Sequence, residues 1–430
     1  MIMGKYSLLF FIVCFLFFIP GFSSAQVKIT LDSCIARALE SNYSIKIIRN
    51  QQRQAENNLN YGPFLPTIGI DAAQKQSITD SKVVSDGEDR RADNSRSDAL
   101  SAGVSLNWRL FDGMEMFMTH NRYAEMLAIG ELNTKAAVEN LIVEVSSYYY
   151  DVVRQHSKLE AARHSLELSS ARYAEARDKY VIGVLSGLEA QQAKLDLNAD
   201  SSNYMKEKEL LKSAYISLNT IMNTDLQKHM YVDDSIRLHM PLQYQDLLTD
   251  LLQYNTTLQI GRRDRKVSEL DMKIARAALF PKLDFDAGYN YNRTKSPASV
   301  TSLNRSNGPY WGFSLSVDIF NRLENRRKIR NAKLDMENAA LSYQEAEQQV
   351  KADLAQLYNT YENNLQIVSF EEESERVAFD NLDAALEKYK LGTLPGIEFR
   401  EFQRSYIDAV DRKVSALYQP KISELSLLLI

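Results

Sequence analysis

A chain of 430 residues, 45 % hydrophobic and 25 % charged, is long enough for two or three ordinary domains, and that apolar share excludes a disordered polymer. With 16 Gly and 9 Pro it is not collagen-like, and a net charge of −5 without any Lys/Arg block argues against nucleic-acid binding. Two cysteines and five histidines leave no disulfide framework and little for a metal centre, so neither cofactor nor metal is expected and the composition leans away from catalysis.

The chain opens with Lys5, an apolar stretch from Leu8 to Ile19, then Pro20-Gly21 and Ser23-Ser24-Ala25. A basic start, an apolar middle and small residues before Gln26 predict a secretory signal, 1–25, cleaved after Ala25. A membrane anchor is the weaker reading, because the stretch is short and ends in a cleavage pattern. Cys14 lies inside the apolar stretch, which argues against lipid attachment and leaves Cys34 as the one thiol of the mature chain. No later segment approaches the roughly 18 apolar residues of a transmembrane helix. An exported chain without a helical anchor is either soluble or crosses an outer membrane as strands.

A helix ahead of a first strand pair is expected near Ala38-Leu39, followed by strands at 67–77 and 99–111. In the second of these, Leu100, Ala102, Val104, Leu106, Trp108 and Leu110 alternate with Ser101, Gly103, Ser105, Asn107 and Arg109. Ile68, Ile70 and Ala72 repeat the pattern more weakly. Strands apolar on one face for roughly ten residues match a tilted bilayer crossing, although a soluble half-buried sheet alternates too. Residues 78–98, rich in Ser, Asp and Arg, read as a polar loop. A long helix follows at 113–182; from Met114 to Ile182 it has no proline and one glycine, Gly130. Val138, Leu141, Val145, Tyr148, Val152, Leu159, Leu166, Tyr173 and Tyr180 supply a coiled-coil seam. At about 1.5 Å per residue such a helix runs about 100 Å. A returning helix is expected at 187–223.

Residues 224–258, with Pro241 and mixed polarity, read as an equatorial segment around a helical waist. Strands at 282–292 and 310–320 follow, the first carrying Leu283, Phe285, Ala287, Tyr289 and Tyr291, the second Trp311, Phe313, Leu315, Val317 and Ile319. The polar stretch 293–309 joins them. Trp108, Tyr310 and Trp311 suit an aromatic girdle at a membrane interface. A second long helix, 322–391, carries Val350, Leu354, Leu357, Tyr361, Leu365, Val368, Phe379, Leu382, Leu386 and Tyr389 on its seam. A returning helix at 396–418 and a C-terminal segment complete the chain.

The chain is written twice. Leu65-Pro66 returns as Phe280-Pro281, Leu110-Phe111-Asp112 as Ile319-Phe320-Asn321, and Lys179-Tyr180-Val181-Ile182-Gly183 as Lys388-Tyr389-Lys390-Leu391-Gly392. Gly187 and Glu189 likewise match Gly396 and Glu398. The later pairs share an offset of 209 residues and the proline pair an offset of 215, so the length difference falls between the strands. The repeats are 26–223 and 242–430, the latter overlapping the equatorial segment.

Signal segment, duplication, paired strands and Tyr-x-x-Gly helix ends together resemble the TolC family of outer-membrane efflux and secretion channels, over essentially all of 26–430. The resemblance implies a mainly α fold with transmembrane β: long coiled-coil helices forming a periplasmic α-barrel, and four strands per chain given to a twelve-stranded barrel of a homotrimer. Physics agrees, since four strands cannot close and open edges are not tolerated in lipid. It further implies a passive channel in the outer membrane of a Gram-negative bacterium, extending into the periplasm and working with a periplasmic adaptor and an inner-membrane transporter. By position, Gly183, Val184, Leu185 and Ser186, with Gly392, Thr393, Leu394 and Pro395, become the adaptor-contact tips. Glu189 and Tyr389 become a clasp of the periplasmic gate, and Glu398 and Glu401 a ring at its narrowest point. The sequence departs from the family at Leu394, where members can carry an arginine that adds a clasp contact.

Rival features are weaker. His156 and His164 are eight apart on one helix, Met114, Met116 and Met118 scatter around another, and no phosphate loop or nucleophile elbow is present. A periplasmic adaptor or secreted coiled-coil scaffold without a pore explains the helices but not the duplicated amphipathic strands.

Overall fold

The two proline-free stretches each form one unbroken helix of 67 residues. The computed structural model describes residues 29–85, 88–227, 231–232, 235–238, 242–296 and 302–429; the signal segment 1–25 and Pro241 lie outside them. Along the described chain run α1 (Leu31–Ser41), α2 (Tyr43–Asn58), β1 (Thr67–Ser85), β2 (Glu88–Phe111), α3 (Glu115–Val181) and α4 (Gly187–Ile221). The order then repeats as α5 (Tyr244–Tyr254), α6 (Thr256–Ala277), β3 (Lys282–Lys295), β4 (Leu303–Ser316), α7 (Glu324–Lys390) and α8 (Gly396–Leu429).

The chain divides into two compact units. One takes its described residues from the segments ending at Tyr43, Asn140–Pro241 and Asn359–Ser426; the other takes its own from Ser44–Glu139, Leu242–Tyr358 and 427 onward.

The second unit holds the sheet. Its strands are antiparallel in the order β1-β2-β3-β4. The register aligns Ile70, Val104 and Tyr289 in one row and Trp108, Phe285 and Phe313 in another, so the apolar sets of all four strands share one face. Much of that face is bare: Ile70 is 83 % and Trp311 73 % exposed. The opposite face carries Arg109, which donates to Asp284 at 2.8 Å, beside Asn107 and Asp286. Both strand-to-helix corners use the same device. Asp112 and Asn321, equivalent in the repeat, accept the amide N–H of Met116 and Asn325 through their side chains and start α3 and α7.

Three expectations about this unit need correction. Residues 78–85 and 88–98 are not loop: β1 and β2 stay paired from Ile78↔Arg96 out to Ser85↔Glu88. Alternating hydrophobicity marks strand only where one face is apolar, and 78–98 carries no such alternation in its sequence; Arg91 pairs with Asp93 two residues on. Conversely, the strand expected to reach residue 320 ends at Ser316, because its partner β3 begins opposite that residue, at Lys282. Tyr310 does not join Trp108 and Trp311. It pairs with Gly288 on the polar face, where a Cβ on Gly288 would sit 2.7 Å from the Tyr310 hydroxyl.

The first unit is a packing of helices. Val145, Tyr149 and Val152 of α3, Leu218 of α4 and Tyr361 of α7 belong to its buried hydrophobic residues. The expected seam of α3 holds at Leu141, Val145 and Val152 but not beyond. From Leu159 onward the buried positions are Ala162, Ser165, Ser169, Arg172 and Ala176, while Leu159, Leu166 and Tyr173 are half-buried and Tyr180 is exposed. The spacing is still three and four, so the helix face is regular and only its chemistry changes, from bulky and apolar to small and polar. The returning helix α8 also runs past 418 to Leu429, through Pro420.

Candidate gate and docking tips

Both tips of the first unit are built alike. At the end of α3 the Gly183 N–H donates to Tyr180 O at 2.9 Å and the Val184 N–H to Lys179 O at 2.9 Å. At the end of α7 Gly392 donates to Tyr389 O at 2.9 Å and Thr393 to Lys388 O at 3.0 Å. This paired closure needs a left-handed residue, and the two glycines have φ of +76° and +75° with nothing within 4 Å of a would-be Cβ. Backbone conformation, not crowding, selects glycine here.

The next helices start differently. Ser186 caps α4, with its hydroxyl accepting the Glu189 N–H at 3.3 Å, while Glu189 Oε2 accepts the Ser186 N–H at 3.2 Å and hydroxyl at 2.9 Å. Pro395 precedes α8 and offers no side-chain acceptor; its carbonyl receives the Phe399 N–H at 3.1 Å. Leu394, at the arginine position of some family members, packs against the buried cluster of Leu382, Ala385 and Phe399. Val184 is exposed, Leu185 half-buried, and Thr393 donates its hydroxyl to Lys388 O at 3.0 Å.

Of the expected gate residues, Glu189 and Tyr389 do come together. They line one cavity of about 240 Å³ with Arg172, Asp196, Leu188 and Ile397. Within the described residues they share no hydrogen bond; Tyr389 instead stacks on Phe399, centroids 5.2 Å apart. Burial pushes the Tyr389 hydroxyl above its ordinary pKa, with Glu175 and Glu189 adding to the shift and Arg172 and Lys179 opposing it. Glu398 and Glu401 are exposed on α8, one turn apart.

Sequence reasoning missed two parts of this region. The first is an apolar fringe: Val181, Ile182, Val184, Leu188, Leu391 and Ile397 are each more than 70 % exposed around the two tips. The signal was present in the residue types beside the glycines. The second is a buried polar seam. Arg172 of α3 is paired with Asp196 of α4 and donates to Gly396 O at 3.0 Å, and Arg400 of α8 grips Asp200 of α4 with two bonds of 2.6 and 2.7 Å. Ser165, Ser169 and Gln403 complete it. No spacing rule in one helix joins residues 165, 200 and 403, so the seam becomes visible only in three dimensions.

A bare apolar strand face on an open four-stranded sheet and long helices ending in paired tips match the architecture that the resemblance to outer-membrane channels implies. The profile of the outer membrane efflux protein family matches residues 35–224 and 247–430, and the chain belongs to that family. It is 24 % identical over 394 residues to the pyoverdine export outer membrane protein OpmQ of Pseudomonas aeruginosa, covering 89 % of this chain and 81 % of the relative. To the outer membrane protein TolC of Vibrio cholerae it is 20 % identical, covering 77 % and 76 % of the two chains. The crystal structure of the Campylobacter jejuni CmeC outer membrane channel superposes with a TM-score of 0.77 at 16 % identity, covering 93 % of this chain and 84 % of that one. The fold is therefore that of the TolC-like channels, and the protein is an outer-membrane efflux component. Among the described residues no helix is long and apolar enough to cross a membrane.

Proposed function

We propose that three copies of this chain form a passive conduit for a tripartite efflux or type I secretion system. The observation that carries the reading is the four-stranded sheet, with β1 and β4 unpaired on their outer edges among the described residues and an apolar face left bare. In lipid those edges must be paired, and four strands are too few to close on themselves. Three copies give a closed barrel of twelve strands whose apolar face meets outer-membrane lipid and whose polar face, with Arg109, Asp284 and Tyr310, lines the pore. Trp108 and Trp311 then lie on the lipid side, where aromatic rings suit the interface.

The tips, 183–186 and 392–395, are the contact for a periplasmic adaptor, and the apolar fringe around them is the surface that contact covers. The adaptor links the conduit to an inner-membrane transporter, which supplies the energy. Glu189, Tyr389, Glu398 and Glu401 form the periplasmic gate. In the closed trimer the Glu189 carboxylate, whose Oε2 holds the start of α4, takes a bond from the Tyr389 hydroxyl across their shared cavity, a bond not made among the described residues of the single chain. Three copies of Glu398 and Glu401 give a cation-attracting constriction. The test is single-channel recording of the purified protein in planar bilayers. Small, cation-selective openings are expected; a folded protein that never conducts favours a coiled-coil scaffold without a pore.

A further inference from the structure

The first turns of α8 have two faces with different duties. Glu398 and Glu401 are exposed, whereas Phe399 and Gln403 are buried and Arg400 is turned inward toward Asp200. Asp200 is an unusually crowded acceptor. Arg400 donates to both of its oxygens, and Ser169, Ser165 at 3.2 Å and Gln403 Nε2 at 3.3 Å donate to Oδ2. Gln403 Nε2 also reaches Ser165 O at 2.9 Å and Ser165 Oγ at 2.7 Å. One carboxylate thus ties together α3, α4 and α8.

Stability alone is a poor reason for such a seam. Breaking even with well-packed apolar residues is the usual energetic result for a buried ion pair, and the better-attested use of one is to fix register or hold a switch. Here the neighbouring buried positions of α3 and α4 are Ala162, Ala176, Ala190 and Ala193, which would allow the helices to pack in more than one rotation. Two groups of the seam, Gln403 Oε1 and Arg172 Nε, are buried without a partner among the described residues, so the network has spare capacity to re-pair.

We propose that Asp200 and Arg400, with Ser165, Ser169 and Gln403, are positioning residues of the gate: a latch joining α8 to α3 and α4 that sets the rotation of α8, turns Glu398 and Glu401 to the pore, and must release for the tip to open. The latch rests on the channel reading, and lies beyond the clasp of Glu189 and Tyr389 in both place and chemistry.

Planar-bilayer recording tests it on the full-length protein as wild type, Asp200→Asn, Arg400→Lys, Ser169→Ala and the exchange Asp200→Arg/Arg400→Asp. Each single variant is expected to raise conductance by about fivefold or more and weaken cation selectivity, and the exchange to return both toward wild type. A purely structural role predicts fewer trimers with unchanged single-channel conductance, and that result overturns the latch. Should Asp200→Asn not assemble, Arg400→Lys and Ser169→Ala leave no buried charge unpaired and must still open the pore; wild-type conductance in both refutes the proposal. A silent wild type overturns the channel reading and the latch with it, whereas a conducting wild type with unaltered variants overturns the latch alone.

Discussion

Glu189 carries two duties in this account, and they can be separated. Ser186→Ala removes the hydroxyl that caps α4 but leaves the Glu189 carboxylate in the cavity it shares with Tyr389. Loss of such a cap costs about 1 kcal/mol, while the bond from the residue 186 N–H to Glu189 Oε2 remains to hold the first turn of α4 and the carboxylate in place. Tyr389→Phe does the reverse: the ring keeps its stacking on Phe399 while the hydroxyl is lost. A hydrogen bond to a carboxylate is worth about 1.5–3 kcal/mol when buried, and about 1 kcal/mol is the fair figure at an exposed Glu189. Three copies opening together add to about 3 kcal/mol, on the order of a hundredfold in the ratio of open to closed channels. Bilayer recordings of the two variants should therefore show Tyr389→Phe opening far more often than wild type and Ser186→Ala scarcely changed. Equal opening in both refutes the clasp and leaves Glu189 as a helix cap only.

Other outcomes follow from single positions. Gly392→Ala places a Cβ at φ +75° and should cost about 1–2 kcal/mol per chain, read as a lower dissociation temperature of the trimer on gels; an unchanged midpoint contradicts the tip geometry. Gly288→Val drives a Cβ to within 2.3 Å of the Val104 carbonyl, so outer-membrane insertion should fail, and normal fractionation of that variant would show that β2 and β3 pair otherwise. Burial of Cys34 pushes its thiol up to about 12, so a maleimide should label it only after denaturation. Burial by itself would raise the Asp200 carboxyl, but the bonds from Arg400, Ser169 and Ser165 and the Arg400 charge outweigh it and hold the group below the ordinary carboxylate range. A lowered folded value means that its contribution is complete above about pH 3.9 and is lost as pH falls through the folded value. Acid titration of trimer stability should show that loss in wild type, with Asp196, Arg172 and Glu401 nearby and Lys158, Glu207, Arg404 and Asp408 lining a cavity with Asp200, and Asp200→Asn should reduce it.

Most of the fold was legible because it repeats and because its periods are long. Nearly seventy residues without proline can only be a helix, and alternation from Leu100 to Leu110 can only be a strand with one apolar face. The glycines of the tips were legible for the same reason, since each stands after a matching Lys-Tyr-x-x run. What failed to show was structure held by partners remote in sequence. The polar stretches 78–85 and 88–98 pair as strand through their backbone, which leaves no side-chain pattern. Tyr310 looked like part of an aromatic girdle because it adjoins Trp311, yet successive strand residues point to opposite faces, a rule that could have separated them. On α3 the bulky residues Leu159, Leu166 and Tyr173 drew the eye, while the buried face ran through Ala162, Ser165, Ser169 and Arg172. Small and polar residues are read as surface unless their partners, here Asp196, Asp200, Arg400 and Gln403, are already known to be opposite.

The central claim is that the open edges of one sheet are closed by two further copies. Native mass spectrometry of the complex extracted from outer membranes tests it most directly. Three chains per particle is the predicted count, dissociating on heating; a particle of one or two chains, still folded and membrane-bound, contradicts the account.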